Sequence, residues 1–591
     1  FCPHWHSVFS SVFKELKALR TCLDLVFNQI TDLGASFSRR LLPPWSEEQS
    51  YNHRRVATTW CKSFTSKNFH RGHHNASGSV KIGARRRSLT GPGPIATVGG
   101  VTSLDVATAT TMQLLIALQR REVSSVELLD AMLNNIERMN PAVNAVVAMD
   151  MERARAEATA ADNSRTAGDP CGPLHGLPMT IKDCYETLDL VTTAGAPELS
   201  EHMPTRDADV VRLLRRAGAI VWAKTNVPYY AGDHQTYNDV YGITNNPWDL
   251  TRTSGGSSGG AAVAVACGFT TAEIGSDIGN SIRQPAGLNG VFGLKTTHGL
   301  VSGRGHIPGP SGSLTSADLG VFGPLGRSCG DLRVLLEVLT NSGSAFGGVP
   351  GAELPRFEQQ PDVADLRIGV WSDDAMAPVD SSVKDLIENA ARRLGAEGAV
   401  LDSEIRPSIA PSDLHRTYMQ LLNSTMSPGI AGDLWKGLVA KAGGSAEHVD
   451  DDAVMFARNS ALAHRDWLAA NEQRAYAQHA WAEVFDNVDV MIAPIQPVAA
   501  FPHDTERSYG KRTLSVNGSD APYRGILFWA GLATMPHLPS VAIPIGQTAE
   551  GLPVGMQLIG PKWSDHKILS IGEEISSVLG QHFTPPPLVT G

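Results

Sequence analysis

The sequence lacks long hydrophobic runs: no stretch of eighteen apolar residues occurs among its 591 residues. A helix that crosses a bilayer needs about 20 such residues, so no membrane span is expected. Aromatic residues are also few, at 6%, whereas the hydrophobic fraction of 42% and the charged fraction of 19% are ordinary for a globular protein. The composition therefore predicts a globular chain that is long enough for a deep core.

Cysteine is scarce, and the motifs that bind metals and nucleotides are missing. The seven cysteines have neither a paired framework nor the spacing of a zinc site, so reduced thiols and a cytoplasmic location are expected. Neither glycine cluster is followed directly by a Lys-Ser or Lys-Thr pair, and no dinucleotide fingerprint follows a strand. We therefore expect no metal and no cofactor.

Residues 1–100 differ in composition from the rest of the chain. They contain no methionine, since the first is Met112, and they carry fourteen Lys and Arg against five Asp and Glu. We interpret them as a basic, disordered leader that is translated upstream sequence or an artefact; an organellar targeting segment or a nucleic-acid-binding tail are the alternatives. The whole chain nevertheless has a net charge of −10, so its body is acidic and nucleic acid is not expected as a partner.

Residues 101–591 are predicted to form a single domain in which helical and strand patterns alternate. Apolar residues recur at helical spacing over 114–118 and 126–136, and Ser124 with Glu127 forms a capping box before the second run. The alternation that begins here predicts an α/β fold.

The second of these helices is expected to end at Asn140-Pro141. Two buried strands are predicted beyond it, at 178–183, where a lysine stands near the end, and at 220–224. Residues 340–480 are predicted to be a mostly helical insertion or cap.

Two glycine-framed serine clusters follow each other along the chain. Residues 255–260 include Ser257 and Ser258, and residues 275–283 include Ser281. Glycines around a hydroxyl let the backbone approach a substrate closely, and backbone amides beside a nucleophile can receive a developing oxyanion. The clusters therefore predict an acyl-transfer site, with a Gly/Ser-rich structural loop as the alternative.

A serine nucleophile needs a base within hydrogen-bond reach. The nearest histidine, His298, lies in a loop-like segment where a structural role is expected. Lys182 suits the role better, because burial at the end of an apolar strand would favour its neutral form. Residues 256–260 also match the nucleophile elbow of α/β-hydrolases, but the polar segment before them does not resemble the hydrophobic strand of that motif.

Several segments, taken in order, resemble the amidase signature family. The resemblance covers roughly residues 102–591 and is densest over 172–330. Its segments are the two serine clusters together with residues 176–183, 223–228, 246–249, 293–295, 323–328 and 551–561.

The resemblance implies an α/β fold with a mixed, twisted central sheet covered by helices on both faces, and a Ser-Ser-Lys triad. Ser281 matches the nucleophile, Ser257 matches a bridging serine whose peptide bond is cis in the family, and Lys182 matches the general base. The other matched positions are of three kinds. The oxyanion would be held by the amides of Ile278, Gly279, Asn280 and Ser281; the site would be supported by Ser258, Asp277 and Arg283; and the acyl pocket would be lined by Tyr230 and Ala231.

Position 280 departs from the family, which usually has glycine there. Asparagine is the least costly substitute if the backbone has positive φ, so the oxyanion loop is expected to form. The side chain of Asn280 is expected to narrow or polarise the mouth of the site and to alter substrate preference.

The resemblance implies hydrolysis of a small-molecule amide or carbamate by water, with an ester as a further substrate class. We predict a hydrophobic or aryl substrate, and a homodimer is the assembly that many members of the family suggest. Two alternatives stay open: the glutamine-hydrolysing subunit of a tRNA-dependent amidotransferase, and a non-catalytic relative.

Overall fold

The computed structural model describes residues 105–309, 313–340, 361–430, 432–444 and 452–590. The predicted leader lies outside these residues. Within them, no helix is long and apolar enough to cross a membrane.

The strands are short and are spread over the whole described part of the chain. In chain order they are β1 (Val146–Met149), β2 (Pro178–Lys182), β3 (Ile220–Thr225), β4 (Tyr237–Asn238), β5 (Gly242–Ile243), β6 (Asn245–Asn246), β7 (Asp249–Thr253), β8 (Glu273–Asp277), β9 (Phe292–Lys295), β10 (Val321–Gly326), β11 (Arg367–Val370), β12 (Val400–Asp402), β13 (Val490–Pro494), β14 (Thr513–Val516), β15 (Ser519–Pro522), β16 (Ser540–Gln547) and β17 (Pro553–Ile559).

The helices are interspersed among these strands. They are α1 (Thr111–Arg120), α2 (Ser125–Val143), α3 (Met151–Ala167), α4 (Asp209–Arg216), α5 (Gly259–Ala266), α6 (Arg283–Asn289), α7 (Cys329–Thr340), α8 (Ser381–Ala396), α9 (Pro411–Met426), α10 (Gly432–Gly444), α11 (Asp452–Ser460), α12 (His464–Asn487), α13 (Gly525–Thr534), α14 (Asp565–Val578) and α15 (Pro587–Thr590).

The central sheet is mixed, as predicted. Its eight strands lie in the order β12-β11-β13-β17-β16-β9-β10-β8. Strand β11 is parallel to both of its neighbours, and the remaining pairs are antiparallel. A second sheet has the order β1-β3-β2, with β2 parallel to β3.

A buried carboxyl group joins the two sheets. Glu273 on β8 accepts hydrogen bonds from the hydroxyl of Thr180 on β2 and, at 2.6 Å, from that of Thr225 on β3. Burial raises the pKa of Glu273 to about 7. This contact sets the end of β2, where Lys182 lies, beside β8.

The capping box predicted before α2 is confirmed, but the predicted end of that helix is wrong. Ser124 is the N-cap and pairs reciprocally with Glu127. The helix includes Pro141 and continues to Val143. A proline in the last turn removes only one backbone hydrogen bond, and Asn144 ends the helix with φ of 51°.

The segment before the first serine cluster is also more regular than the sequence suggests. Its polar residues 249–253 form β7, which pairs antiparallel with β6. Within residues 340–480, which are predicted to be mostly helical, the chain forms β11, α8 and β12 and then the helices α9 to α12. That residues 340–480 are an insertion remains a prediction.

Helices α5 and α13 are buried on every side, which places them inside the fold. Helix α5 begins directly after Ser257 and Ser258, and small residues let it pack closely. A Cβ at Gly260 would lie 2.4 Å from the backbone nitrogen of Asn226. Because only glycine fits this contact, the first serine cluster has a fixed position next to β3.

Candidate active site

Lys182 is buried at the end of β2 and faces three hydroxyl groups. Its Nζ lies 2.7 Å from Oγ of Ser257, and 2.9 Å from Oγ of both Ser258 and Ser276. The residue has no exposed surface, and burial lowers the pKa of its amine to about 8. A fraction of Lys182 is therefore neutral near neutral pH and can accept a proton.

A second buried lysine, Lys224, has different surroundings. Its Nζ donates to the carbonyl of Tyr185 and to the hydroxyls of Thr187 and Thr192, and it lies 3.7 Å from the carboxylate of Asp183. These contacts are structural. Lys182 is thus the lysine that faces the serine clusters.

Ser257 is held in place by the backbone on its N-terminal side. The peptide bond between Gly256 and Ser257 is cis, as the resemblance implies. The amide of Gly256 donates to Oε1 of Gln284, and a Cβ at Gly256 would lie 2.5 Å from the carbonyl oxygen of Asp233. A close approach of two backbone segments therefore fixes the bridging serine.

Ser281 lies in the loop between β8 and α6, next to the first cluster. Its carbonyl accepts a hydrogen bond of 3.1 Å from the amide of Ser258. Ser281 keeps 6% of its surface exposed, whereas Ser257 keeps 1% and Lys182 none. Of the three predicted triad residues, Ser281 is therefore the one most open to a substrate.

A buried ion pair fixes the loop that carries Ser281. Arg283 lies 2.9 Å from Asp277, and both side chains are fully buried. Burial alone would raise the pKa of Asp277, but the charge and hydrogen bonds of Arg283 outweigh it and lower the pKa to about 2. Arg283 also donates to Gln557 and Thr534. These contacts agree with the supporting roles predicted for both residues.

The four amides predicted to hold the oxyanion are not equivalent. The amide of Asn280 donates to Oδ1 of Asp277 at 3.0 Å, so it already has an acceptor, and its role as an oxyanion donor stays a prediction. Within the described chain, the amides of Ile278, Gly279 and Ser281 have no protein acceptor. These three amides are the ones that remain for a substrate oxygen.

Asn280 has a positive φ of 91°, as predicted for a position that is usually glycine in the family. Its side chain, however, is fully buried and donates from Nδ2 to the carbonyl of Ile495 at 2.6 Å. The side chain therefore packs into the protein. The expectation that it narrows the mouth of the site is wrong.

Tyr230 and Ala231 are partly buried and pack beside Cys184 and Ile307. Both have positive φ, of 46° and 58°. Their role in an acyl pocket remains a prediction. Cys184 is fully buried, and burial raises the pKa of its thiol to about 11.

Three residues near the site were missed by the sequence analysis. Ser276 contacts Lys182 and, at 2.9 Å, Nε2 of His306. Tyr418 on α9 donates a hydrogen bond of 2.7 Å to the carbonyl of Ile278. Ser276 lies inside the second serine cluster, but no local motif marks His306 or Tyr418, which are 30 and 140 residues away from their partners.

A group that could hold a metal ion lies outside this site. Ligand atoms of His298, Asp318 and His537 are within 4.8 Å of one another. The guanidinium of Arg474 lies 2.6 Å from Asp318 and 3.0 Å from Nε2 of His537. Because the cationic side chain of Arg474 already contacts Asp318 and His537, the group fits a hydrogen-bonded ion pair better than a metal site. His298 stacks on His537, in agreement with a structural role.

Comparison with known proteins agrees with this geometry. The profile of the family described as Amidase matches residues 127–569. The chain is 32% identical to a glutamyl-tRNA(Gln) amidotransferase subunit of Roseiflexus sp. (strain RS-1) over 492 residues, which cover 80% of this chain and 96% of that protein.

Two solved structures share the fold over nearly their whole length. A crystal structure of an amidase has a TM-score of 0.64 and 27% identity, and the match covers 79% of this chain and 99% of the amidase. The corresponding glutamyl-tRNA(Gln) amidotransferase subunit of Thermotoga maritima has a TM-score of 0.64 and 25% identity, and the match covers 81% of this chain and 96% of that protein. The predicted fold class is thereby confirmed. The chain belongs to the amidase signature family.

Proposed function

We propose that this chain hydrolyses carboxamides through an acyl-enzyme on Ser281. The observation that carries the proposal is the position of Lys182, whose buried amine lies 2.7 Å from Oγ of Ser257. A lysine with a lowered pKa beside a serine hydroxyl is an arrangement that can activate a serine nucleophile.

In the first half of the reaction, Oγ of Ser281 attacks the amide carbonyl. Its proton passes to Ser257, and the proton of Ser257 passes to neutral Lys182. The amides of Ile278, Gly279 and Ser281 would stabilise the oxyanion, and single donors of this type contribute roughly 3–4 kcal/mol. The relay then returns the proton to the leaving nitrogen, the C–N bond breaks and the acyl group remains on Ser281.

In the second half, water attacks the acyl-enzyme. Lys182 again accepts a proton through Ser257, now from the water molecule, and the tetrahedral intermediate forms at the same amides. Its collapse breaks the ester bond and returns the proton to Oγ of Ser281. The products are a carboxylic acid and ammonia or an amine, and the site is restored.

The relatives favour glutamine as the amide. The similarity to glutamyl-tRNA(Gln) amidotransferase subunits extends over nearly their full length at 32% identity. This supports the amidotransferase alternative better than the hydrophobic or aryl amide of the main prediction. On this proposal the chain releases ammonia from glutamine and works with partner subunits.

A neutral, apolar amide is the second candidate, and the pairing of the nearby charges favours it. A free amino acid such as glutamine needs charged side chains that bind its ammonium and carboxylate groups. The nearby Asp233 and Arg512 instead bind each other at 2.6 Å, and Asp233 also accepts a hydrogen bond from Tyr523. A Cβ at Gly279 would lie 3.1 Å from a methyl group of Leu527, 3.7 Å from the hydroxyl of Tyr418 and 3.8 Å from the imidazole of His234. An uncharged acyl group would suit these neighbours.

Turnover by the full 591-residue chain would separate these functions. The substrates are glutamine, an aliphatic amide, an aryl amide and the matched aryl carbamate and ester. Ammonia, amine or alcohol release is measured for the wild type, for Ser281→Ala and for the control His479→Gln, whose side chain is 78% exposed.

Hydrolysis that is lost only in Ser281→Ala supports the proposed function, and the preferred substrate decides between the two candidates. Glutamine hydrolysis that needs the other subunits of a bacterial amidotransferase supports the first. Absence of hydrolysis in every condition overturns the proposal and favours the non-catalytic alternative.

A further inference from the structure

We propose that Ser276 and His306 form a proton relay that connects Lys182 with solvent. This inference rests on the proposed function, because a base that must be neutral has to lose its resting proton. His306 acts on Lys182 through Ser276 and is therefore a positioning residue for the base.

The relay is a continuous line of hydrogen bonds that branches away from Ser257. Nζ of Lys182 lies 2.9 Å from Oγ of Ser276, and Nε2 of His306 lies 2.9 Å from the same oxygen. Lys182 is fully buried and Ser276 is 8% exposed, whereas His306 is half-buried. The exposure of the whole residue thus increases along the line from Lys182 to His306.

The imidazole ring has a fixed position. Its centroid lies 5.0 Å from that of Tyr185, edge to face, and 5.1 Å from that of Phe322. Tyr185 is itself fixed because its hydroxyl donates to the carbonyl of Gly275 at 2.7 Å. Two aromatic rings therefore hold Nε2 of His306 against Ser276.

Each proton in the transfer from Lys182 to His306 has a donor and an acceptor. In the neutral imidazole with its proton on Nδ1, Nε2 accepts from the hydroxyl of Ser276, and Ser276 accepts from the ammonium of Lys182. The ammonium proton moves to Ser276 while the hydroxyl proton of Ser276 moves to Nε2. Lys182 becomes neutral, and the imidazolium of His306 releases a proton to water.

The charges that face His306 make this imidazolium short-lived. Burial and the positive charges of Lys182 on β2 and Lys224 on β3 lower the pKa of His306 well below its usual value. Tyr185 stays a neutral phenol, because burial raises its pKa, and Phe322 on β10 carries no charge. His306 therefore conducts a proton rather than storing it.

The substitution His306→Gln tests the relay directly. A glutamine amide oxygen can accept the hydrogen bond of Ser276, but an amide does not carry a proton onward at neutral pH. His306→Ala opens space that added imidazole can occupy. His479→Gln, the same change at an exposed position, is the matched control.

Two readouts are measured between about pH 6 and 10, a range that spans the titration of histidine and lysine side chains. One is hydrolysis of the best substrate, and the other is the rate at which a fluorophosphonate labels Ser281, which needs the activated serine but no amide substrate. Because the proposed line removes the resting proton of Lys182, we expect slower labelling in both His306 variants than in the wild type and in His479→Gln. Imidazole should restore the rate of His306→Ala and leave that of His306→Gln unchanged.

The outcomes distinguish the relay from the proposed function. If the wild type and His306→Gln are labelled equally fast with the same pH profile, the relay is wrong and the proposed function stands. A slow His306→Ala that imidazole does not restore, beside a fast His306→Gln, shows a purely structural role. A wild type that neither hydrolyses amides nor reacts with the probe overturns both.

Discussion

At the scale of single residues, the proposed role of Lys182 as the base predicts how activity depends on pH. Burial lowers the pKa of its amine to about 8, and only the neutral amine accepts a proton from Ser257. The neutral fraction falls about tenfold per pH unit below this pKa. We expect kcat/KM for amide hydrolysis to rise with pH and to level off above about pH 8.

The substitution Lys182→Met checks this assignment. Methionine has a similar length and no proton acceptor, so turnover should fall by about 100-fold or more. Circular dichroism should show the same fold, because removal of a neutral amine does not leave another buried charge without its partner. Turnover near the wild-type value would remove the lysine from the mechanism.

Asn280 offers a second prediction at the same scale. Glycine adopts a φ of 91° without strain, and the buried side chain of Asn280 contacts Ile495 rather than the opening of the site. Asn280→Gly should keep the ratio of kcat/KM between aryl and aliphatic amides within about threefold, less than the roughly tenfold that a changed pocket contact gives.

Asn280→Val is the substitution that contrasts with Asn280→Gly. A β-branched residue at positive φ is strained, so this variant should lose both thermal stability and activity. A large change in substrate preference in Asn280→Gly would instead show that the side chain reaches the substrate.

At the scale of secondary-structure elements, helix α9 supports the loop of the nucleophile. The hydroxyl of Tyr418 donates to the carbonyl of Ile278, and a Cβ at Gly279 would lie 3.7 Å from this hydroxyl. The predicted insertion thus contributes a hydrogen bond to the oxyanion loop. Loss of that bond would leave a partly buried carbonyl without its partner.

Tyr418→Phe should therefore reduce kcat more than it raises KM. An unsatisfied buried polar group costs about 1–3 kcal/mol, and the looser loop would hold its amides less well in the transition state. We expect kcat to fall by about tenfold. Tyr476→Phe on α12, where the tyrosine is 56% exposed, is the control and should change neither constant.

Some secondary-structure elements can be predicted from the sequence alone, and others cannot. Strand β2 and the cap of α2 follow from local patterns, since apolar runs and capping boxes involve neighbouring residues. The end of α2 and strand β7 depend on contacts that a local pattern does not contain. The links of Tyr418 and His306 to the site join distant segments, so only the folded chain reveals them.

At the scale of the whole molecule, buried amines make stability depend on pH. Burial lowers the pKa values of Lys182 and Lys224 to about 8 and that of Lys295 to about 7, from 10.5. Between these values and 10.5 the unfolded chain binds more protons than the folded chain. The free energy of unfolding must therefore rise with pH in this range, until the buried thiols, whose pKa values are raised, oppose it above about pH 9.

We expect the free energy of unfolding to increase by about 2 kcal/mol between about pH 7.5 and 8.5, measured by urea denaturation. Glu273, with a pKa raised to about 7, acts in the opposite direction but is mostly ionised in this range. Lys182→Met should make the increase smaller by roughly a third, because it removes one of the three amines. Lys436→Met, at a side chain that is 78% exposed, should leave the increase unchanged. A wild-type stability that is flat or falls over this range would mean that the three amines stay charged in the folded protein, and Lys182 could then not act as the base at neutral pH.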